Sequence, residues 1–332
     1  MRHIDPALIP HAEAHRYLLG GVAPRPIALV GTLDAEGRPN LSPFSFFNAF
    51  GVNPPVIAFS PAFRGIDGTP KHTFLNIRDT GEFTVSVVSY AMVEQISLAS
   101  GDYSAGVDEF IKAGFTRLPS HKVAPPGVAE SPMVMECRLL HHIDFGGKPG
   151  SANLMIGEVV MFHIKESAFD GKYLDAERLD LVGRMGGPLY CRASGPAVFT
   201  LAKPTHAGIG FDALPERVLR SSVLAGNDLA KLAGSERLPD PDAIRAAWRD
   251  RMTREGMEAA DDLDIELRTG NAGRALDILA ARMRAGVSPG ELEVDLHRTA
   301  QVFLRADAID DAWLAVLAYD AVPAVMAGTA GG

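Results

Sequence analysis

Two cysteines in 332 residues, Cys137 and Cys191, are too few for a disulfide framework, and each reads as a buried free thiol. No run of about 18 uninterrupted apolar residues occurs, which argues against a membrane-spanning helix. The N-terminus, MRHIDPALIPHAEAH, carries acids and prolines where a secretion signal needs an apolar stretch, so a cytoplasmic protein is expected. Basic charge is also scarce. Lys and Arg number 32 against 41 Asp and Glu, a formal net charge of −9, so no basic field for nucleic acid exists. No HExxH, paired CxxC or spaced carboxylate cluster suggests a metal. His141 and His142 are neighbours on one strand and point to opposite faces, so they cannot chelate together. A GxSxG elbow and a Rossmann glycine fingerprint are missing too, which disfavours serine hydrolase chemistry and leaves any nicotinamide without its usual motif.

What is present is concentrated between Pro24 and Glu82. Ile27–Leu33 is a short apolar run, and Asp34-Ala35-Glu36-Gly37 is turn chemistry, so a hairpin is predicted. Its returning arm, Asn40–Asn48, mixes Ser42, Ser45 and Asn48 with Phe44, Phe46, Phe47 and a proline that cannot donate to a ladder. A buried strand over Val56–Phe59 then leads to Ser60, Arg64, Lys71, His72 and Thr73. Thr69-Pro70 predicts a helix opening there, with Thr69 as its cap and Gly81 as its stop. Hydroxyls, two cations and a helix N-terminus after a strand are what a phosphate needs. The aromatics and small polar groups of the neighbouring arm suit a flat heterocycle. A phosphorylated, ring-bearing cofactor is the reading, with Ser60, Arg64, Lys71 and Thr73 as its phosphate set.

Further on, Phe83–Val88 is a strand and Ala91–Ala99 a helix. A loop rich in Gly, Pro and Ser runs from Ser100 to Pro132, interrupted by a short helix at Val107–Ala113. Strands are predicted over 133–145, where apolar residues alternate, and over Asn153–Ile164, followed by a Gly-rich loop from Leu181 to Tyr190. An antiparallel pair of this length after earlier strands fits a barrel. From about residue 206 the apolar period becomes helical. Ala272, Ala275, Leu276, Leu279 and Met283 share a face, Ser288-Pro289-Gly290-Glu291 reads as a capping box, and a last helix over Ile309–Tyr319 is expected to stop before Pro323. The expected fold class is mainly β: a barrel over residues 1–205 with an appended α-helical domain of unknown role over 206–332. The charge divides unevenly between them. Residues 1–205 carry 18 basic against 20 acidic side chains and residues 206–332 carry 14 against 21, nets of −2 and −7.

Several of these motifs occur in an order that resembles the flavin reductase-like, FMN-binding split-barrel family. They are the Pro24–Glu82 stretch, Ser104-Ala105-Gly106-Val107-Asp108-Glu109-Phe110, Glu136-Cys137, Gly150-Ser151-Ala152-Asn153 and Gly183-Arg184-Met185-Gly186-Gly187-Pro188-Leu189-Tyr190. The resemblance covers roughly residues 10–205. It implies a six-stranded split barrel that forms a homodimer and holds FMN at the interface. Ser42, Phe44, Ser45 and Asn48 would contact the isoalloxazine edge, where donors stabilise the reduced anion. Asn153 reads equally as a flavin contact or a turn cap, and Tyr190 as a flavin cover or a packing residue. Many relatives have Asp at the position of His72, which therefore either donates to the phosphate or faces solvent. The activity implied is an NAD(P)H-dependent flavin reductase, using bound FMN or reducing FMN as a substrate, that passes hydride from nicotinamide to flavin N5; the transfer needs no protein acid or base, and the reduced FMN could serve a monooxygenase partner. The alternative is a flavoredoxin-like electron carrier without direct NAD(P)H activity. A third reading, a specialised flavin enzyme whose helical tail shapes a substrate pocket, is the weakest.

Overall fold

The computed structural model describes residues 1–254, 256 and 258–329. It divides into two compact units, Met1–Thr200 and Leu201–Gly332. The first unit opens with α1 (His11–Gly21), followed by β1 (Ala28–Leu33), β2 (Pro39–Phe44), β3 (Phe47–Val52), β4 (Pro55–Phe59), α2 (His72–Thr80) and β5 (Glu82–Val87). Then come α3 (Val93–Ala99), α4 (Glu109–Ala113), the short strands β6 (Arg117–Leu118) and β7 (Gly127–Val128), and the long strands β8 (Met133–Asp144) and β9 (Asn153–Ile164). It ends with β10 (Phe169–Asp170), β11 (Tyr173–Leu174), α5 (Ala176–Leu179), β12 (Val182–Arg184) and β13 (Tyr190–Arg192).

Seven strands form one sheet in the order β2-β1-β5-β8-β9-β4-β3, each pair antiparallel. The two outermost strands, β2 and β3, are consecutive in the chain and separated only by Ser45 and Phe46. Phe44 and Phe47 are three residue steps apart, at most about 10 Å, so the edges of the sheet must approach one another at that corner and the sheet curls into an open barrel. Counted as one strand bent at Ser45–Phe46, β2 and β3 reconcile the seven segments with the six of a split barrel.

The alternation of side chains along each strand decides what lies inside. Ala28 and Val30, Ile57 and Phe59, Phe83 and Val85, Met135 and Cys137, and Met155 and Val159 form one cluster, joined by Phe74 and Ile77 of α2. Leu29 and Leu41 point the other way and are covered by Met92, Ile96 and Phe110 around α3 and α4. At Gly157 in β9 a Cβ would sit 2.4 Å from the Phe83 ring, so only glycine lets that buried aromatic lie against the strand. Glu109 of α4 is buried, and its carboxylate accepts the Leu41 N–H at 3.0 Å, closing a donor on the edge strand β2.

Local departures from expectation have local causes. Helix α2 begins at His72 rather than Pro70, with Lys71 at its N-cap position. The Thr69 hydroxyl does not cap it and instead donates to Asp67 Oδ1. Gly81 does end it, at φ 73°. The glycines of 181–190 permit a hairpin, β12 with β13, where a loop is expected. Cys137 is buried, burial pushing its thiol well up, whereas Cys191 on β13 is only half-buried.

The second unit contributes α6 (Glu216–Leu219), α7 (Gly226–Ala233), α8 (Pro241–Thr253), α9 (Leu263–Arg268), α10 (Ala272–Arg284), α11 (Glu293–Arg305), α12 (Ile309–Val316) and α13 (Ala318–Thr329). Its own core contains Trp248, Leu276, Leu279, Met283, Leu296, Leu304 and Trp313. Both indoles are satisfied, Trp248 donating to the Leu314 carbonyl and Trp313 to Ser235. Ser288 and Glu291 do exchange the reciprocal bonds of a capping box, with α11 starting just beyond at Glu293. The helix from Ile309 breaks at Leu317 and a further helix, α13, begins at Ala318, so Pro323 lies inside a helix instead of beyond the last one. Among the described residues this unit has helices and no strand, so the chain as a whole holds more helix than strand, and "mainly β" describes the first unit alone.

Candidate functional site

The loop leaving β4 and the N-terminus of α2 enclose an open cavity of about 440 Å³ together with the end of β2. That volume lies in the range of small-molecule sites. Ser42 and Phe44 line it from β2, Ser60 and Arg64 from the loop, Lys71 from the N-cap of α2, and Asp102 from the turn after α3. Five residues of the sequence reading, Ser42, Phe44, Ser60, Arg64 and Lys71, are thus brought together.

The chemistry of this lining is anion-seeking. Ser60 is 8% exposed, and its Oγ is a buried polar atom without a hydrogen-bond partner among the described residues. Leaving such an atom unpaired costs roughly 1–3 kcal/mol, and a ligand oxygen in the cavity would relieve it. The Lys71 ammonium has no partner among the described residues. Arg64 is held by its Nη1, which donates to the Pro70 carbonyl at 2.9 Å and to Thr69 Oγ1 at 3.3 Å. Its Nε and Nη2 both reach Asp102 Oδ1, at 3.2 and 3.0 Å. Burial, then the Arg64 charge, lowers the His72 pKa against a smaller opposing effect of Asp102. These effects favour the neutral imidazole.

The remaining candidates lie elsewhere. Thr73 is turned inward, where its hydroxyl accepts from Asn40 Nδ2 at 3.2 Å. With the Asn76–Thr32 bond at 2.9 Å, this pins α2 to the β1–β2 hairpin. Asn153 is fully buried at the start of β9, 3.3 Å from His142 Nε2, and its amide donates to the Pro61 carbonyl at 3.4 Å. It supports the loop that forms the cavity wall. Ser45 accepts a long bond, 3.4 Å, from Nε of Arg25. Asn48 is exposed on β3, its Oδ1 accepting the following backbone N–H. Tyr190 is exposed, with the Arg184 guanidinium over its ring.

Sequence reasoning missed Asp102 and Ser100. Both stand on a turn that reads as loop, and no spacing rule links Asp102 to an arginine 38 residues earlier. It also missed Arg25, a buried guanidinium whose Nη1 donates to the carbonyls of Leu19 and Val22 and whose Nη2 donates to that of Met185. Burial and the charge of Arg184 lower its pKa. Its contacts tie the end of α1, the β12–β13 hairpin and the β2–β3 corner into one block.

Fold and cavity together describe a split barrel with two cations and a buried hydroxyl at one corner. The family described as the flavin reductase like domain matches residues 20–180. An uncharacterised protein of Deinococcus radiodurans is 40% identical over 192 residues, which is 56% of this chain and 82% of that protein. Nitrilotriacetate monooxygenase component B of Bacillus cereus is similar in structure, with 31% identity and a TM-score of 0.57 over 60% of this chain and 98% of that one. The 2-nitrobenzoate 2-nitroreductase of Pseudomonas fluorescens has 30% identity and a TM-score of 0.55 over 61% and 97%. The chain belongs to the flavin reductase-like family. The family match ends before the second unit begins. Among the described residues no helix is long and apolar enough to cross a membrane.

Proposed function

We propose that residues 1–205 bind FMN in the cavity beside Arg64 and Lys71, and that the protein is an NAD(P)H-dependent flavin reductase. The observation that carries this reading is the buried Ser60 hydroxyl, without a partner among the described residues, on the wall that also holds both cations. A phosphate ester supplies acceptors for Ser60, Arg64 and Lys71 at once. Ser42 and Phe44, on the β2 side, then face the ring system, with Ser45 following them at the β2–β3 corner. FMN, when bound, supplies two-electron exchange between a reduced nicotinamide and a final acceptor. The protein's own part is to fix the phosphate, hold the ring against β2 and keep water from the reacting face. Thr73 and Asn153 act on the cavity by holding α2 and the Pro61 loop in place, not by touching the cofactor.

Purified protein should be yellow, and anaerobic mixing with NADH or NADPH should bleach it. Flavin that binds but bleaches only with a protein donor would make the chain an electron carrier instead. Component B of a monooxygenase is the relevant likeness for the destination of reduced flavin, and a monooxygenase partner belongs to this proposal.

A homodimer is part of the same proposal. β3 is an edge strand with Phe50 68% and Val52 91% exposed, an apolar strand edge of the kind that pairs with another chain. Asn48 and Tyr190 do not line the cavity within one protomer, so they reach a cofactor only across such an interface. Light scattering at micromolar concentration should show two copies. A monomer with full FMN occupancy would overturn the dimer and, with it, the roles of Asn48 and Tyr190.

Residues 206–332 are proposed to be dispensable for flavin binding, because the second unit encloses its own core and every cavity residue precedes it. Truncation after residue 205 is expected to leave FMN affinity within about tenfold of the parent's, a difference of roughly 1.4 kcal/mol at most. A folded truncation that no longer binds FMN is the result against this.

A further inference from the structure

The edge of Arg64 suited to a phosphate is already occupied. Nε and Nη2 of a guanidinium form the fork that takes an oxyanion in two parallel bonds, and in this protein both point at Asp102 Oδ1, at 3.2 and 3.0 Å. The third nitrogen, Nη1, is committed to the loop through Pro70 and Thr69. An anion entering the cavity therefore meets a guanidinium whose best face is filled and a carboxylate that repels it.

Asp102 is held loosely. Its side chain is 74% exposed, and Arg64 is its only hydrogen-bond or ion-pair partner among the described residues. The backbone around it is firmer. The N–H of Ser100 and the N–H of Gly101 bond back to α3, at Ile96 and Leu98, and the Tyr103 hydroxyl donates to the Leu98 carbonyl. A rotation of one short side chain into water frees the fork while the turn stays where it is. Exposed ion pairs of this kind contribute little to stability, so the exchange is easily driven.

We propose that Asp102 is a built-in competitor for the ligand's phosphate: it holds the Arg64 fork in the free protein and is displaced when a phosphate monoester binds. This rests on the placement of the FMN phosphate at Arg64 and adds the step by which the site is opened. The lining carries two cations, Arg64 and Lys71, against the one carboxylate of Asp102. By holding the Arg64 fork, Asp102 lowers affinity for any anion, so the protein binds a phosphorylated ligand more weakly, and releases it more readily, than its two cations alone would allow.

The test is titration of the full chain with FMN and riboflavin, comparing the parent with Asp102→Asn and Asp102→Ala. Both variants should bind FMN about two- to fivefold tighter, the scale set by losing one exposed charge interaction. Riboflavin, without a phosphate, should bind all three alike. Inorganic phosphate should displace FMN from the parent, and a matching gain in its affinity for the variants supports the exchange. Unchanged FMN affinity in both variants, or weaker FMN binding, overturns the proposal, the second outcome meaning that Asp102 serves to position Arg64. A parent that binds FMN no better than riboflavin overturns the phosphate placement itself, and the competitor with it.

Discussion

Replacing Arg64 or Lys71 with Met should lower FMN affinity by about ten- to a hundredfold, the effect of losing one charge-assisted contact of roughly 1.5–3 kcal/mol. Methionine keeps an apolar stem and removes only the charge and its donors. Lys71 is the cleaner position, because its ammonium holds nothing else among the described residues. Arg64 should fall at the lower end of the range, since its fork is shared with Asp102 before any ligand arrives. Arg64 also braces the loop through the Pro70 carbonyl, so its variant needs a control for general damage. Riboflavin supplies one: it should bind both variants as it binds the parent. Parallel losses for FMN and riboflavin, or no loss for either, would place the cofactor elsewhere.

The second large effect concerns stability. Glu136 of β8 is fully buried, and its carboxylate accepts the backbone N–H groups of His121 at 2.7 Å, Lys122 at 2.6 Å and Val123 at 3.1 Å. Nε2 of His163 lies 2.5 Å from the same group. Burial alone would raise the Glu136 pKa, but these hydrogen bonds outweigh it and hold the value below the ordinary carboxylate one. Glutamine offers one acceptor oxygen and turns an NH2 toward donors. Glu136→Gln should therefore cost roughly 3–5 kcal/mol. For a unit of this size that is about 10 °C in the melting temperature of the first unit's transition, read by calorimetry.

The sign of its pH dependence follows from the depressed pKa. The contribution of Glu136 is fully present above the unfolded value, near 4.5, and is lost as pH falls from there through the folded value. The acid limb of the parent's stability curve should be steeper than that of Glu136→Gln. Equal limbs, with equal melting temperatures at neutral pH, would show that the carboxylate is not what holds the 121–123 loop.

How far the sequence was legible depends on the range of each interaction. The β1–β2 hairpin, β9 and the Gly81 stop of α2 are local matters of apolar alternation and backbone freedom, and they stand where pattern places them. The β12–β13 hairpin was hidden because glycines mark both loops and tight turns. Pro323 misled in the opposite direction, the helix break coming at Leu317 instead. In the cavity, Arg64, Lys71 and Ser60 were readable because they follow one strand within a dozen residues. Asp102 was not, because its pairing with Arg64 exists only once α3 is packed beside the β4 loop. Thr73 shows how residue type and position diverge: its hydroxyl marks it for a ligand, and the helical period turns it inward, where it accepts from Asn40.

The sheet order has a consequence for how the chain is made. β3 and β4 form a hairpin early, yet β4 is joined to the rest of the sheet only through β9, as in the pairing of Phe59 with Met155. Roughly a hundred residues must be synthesised between the two partners, which at about 5–20 residues per second takes roughly 5–20 s. For that interval Phe50, Val52 and the unpaired side of β4 are open to whatever strand is nearest. The hairpin is thus the part of a nascent chain with most need of a chaperone's shelter, and the barrel is a structure completed late, when its ninth strand leaves the ribosome.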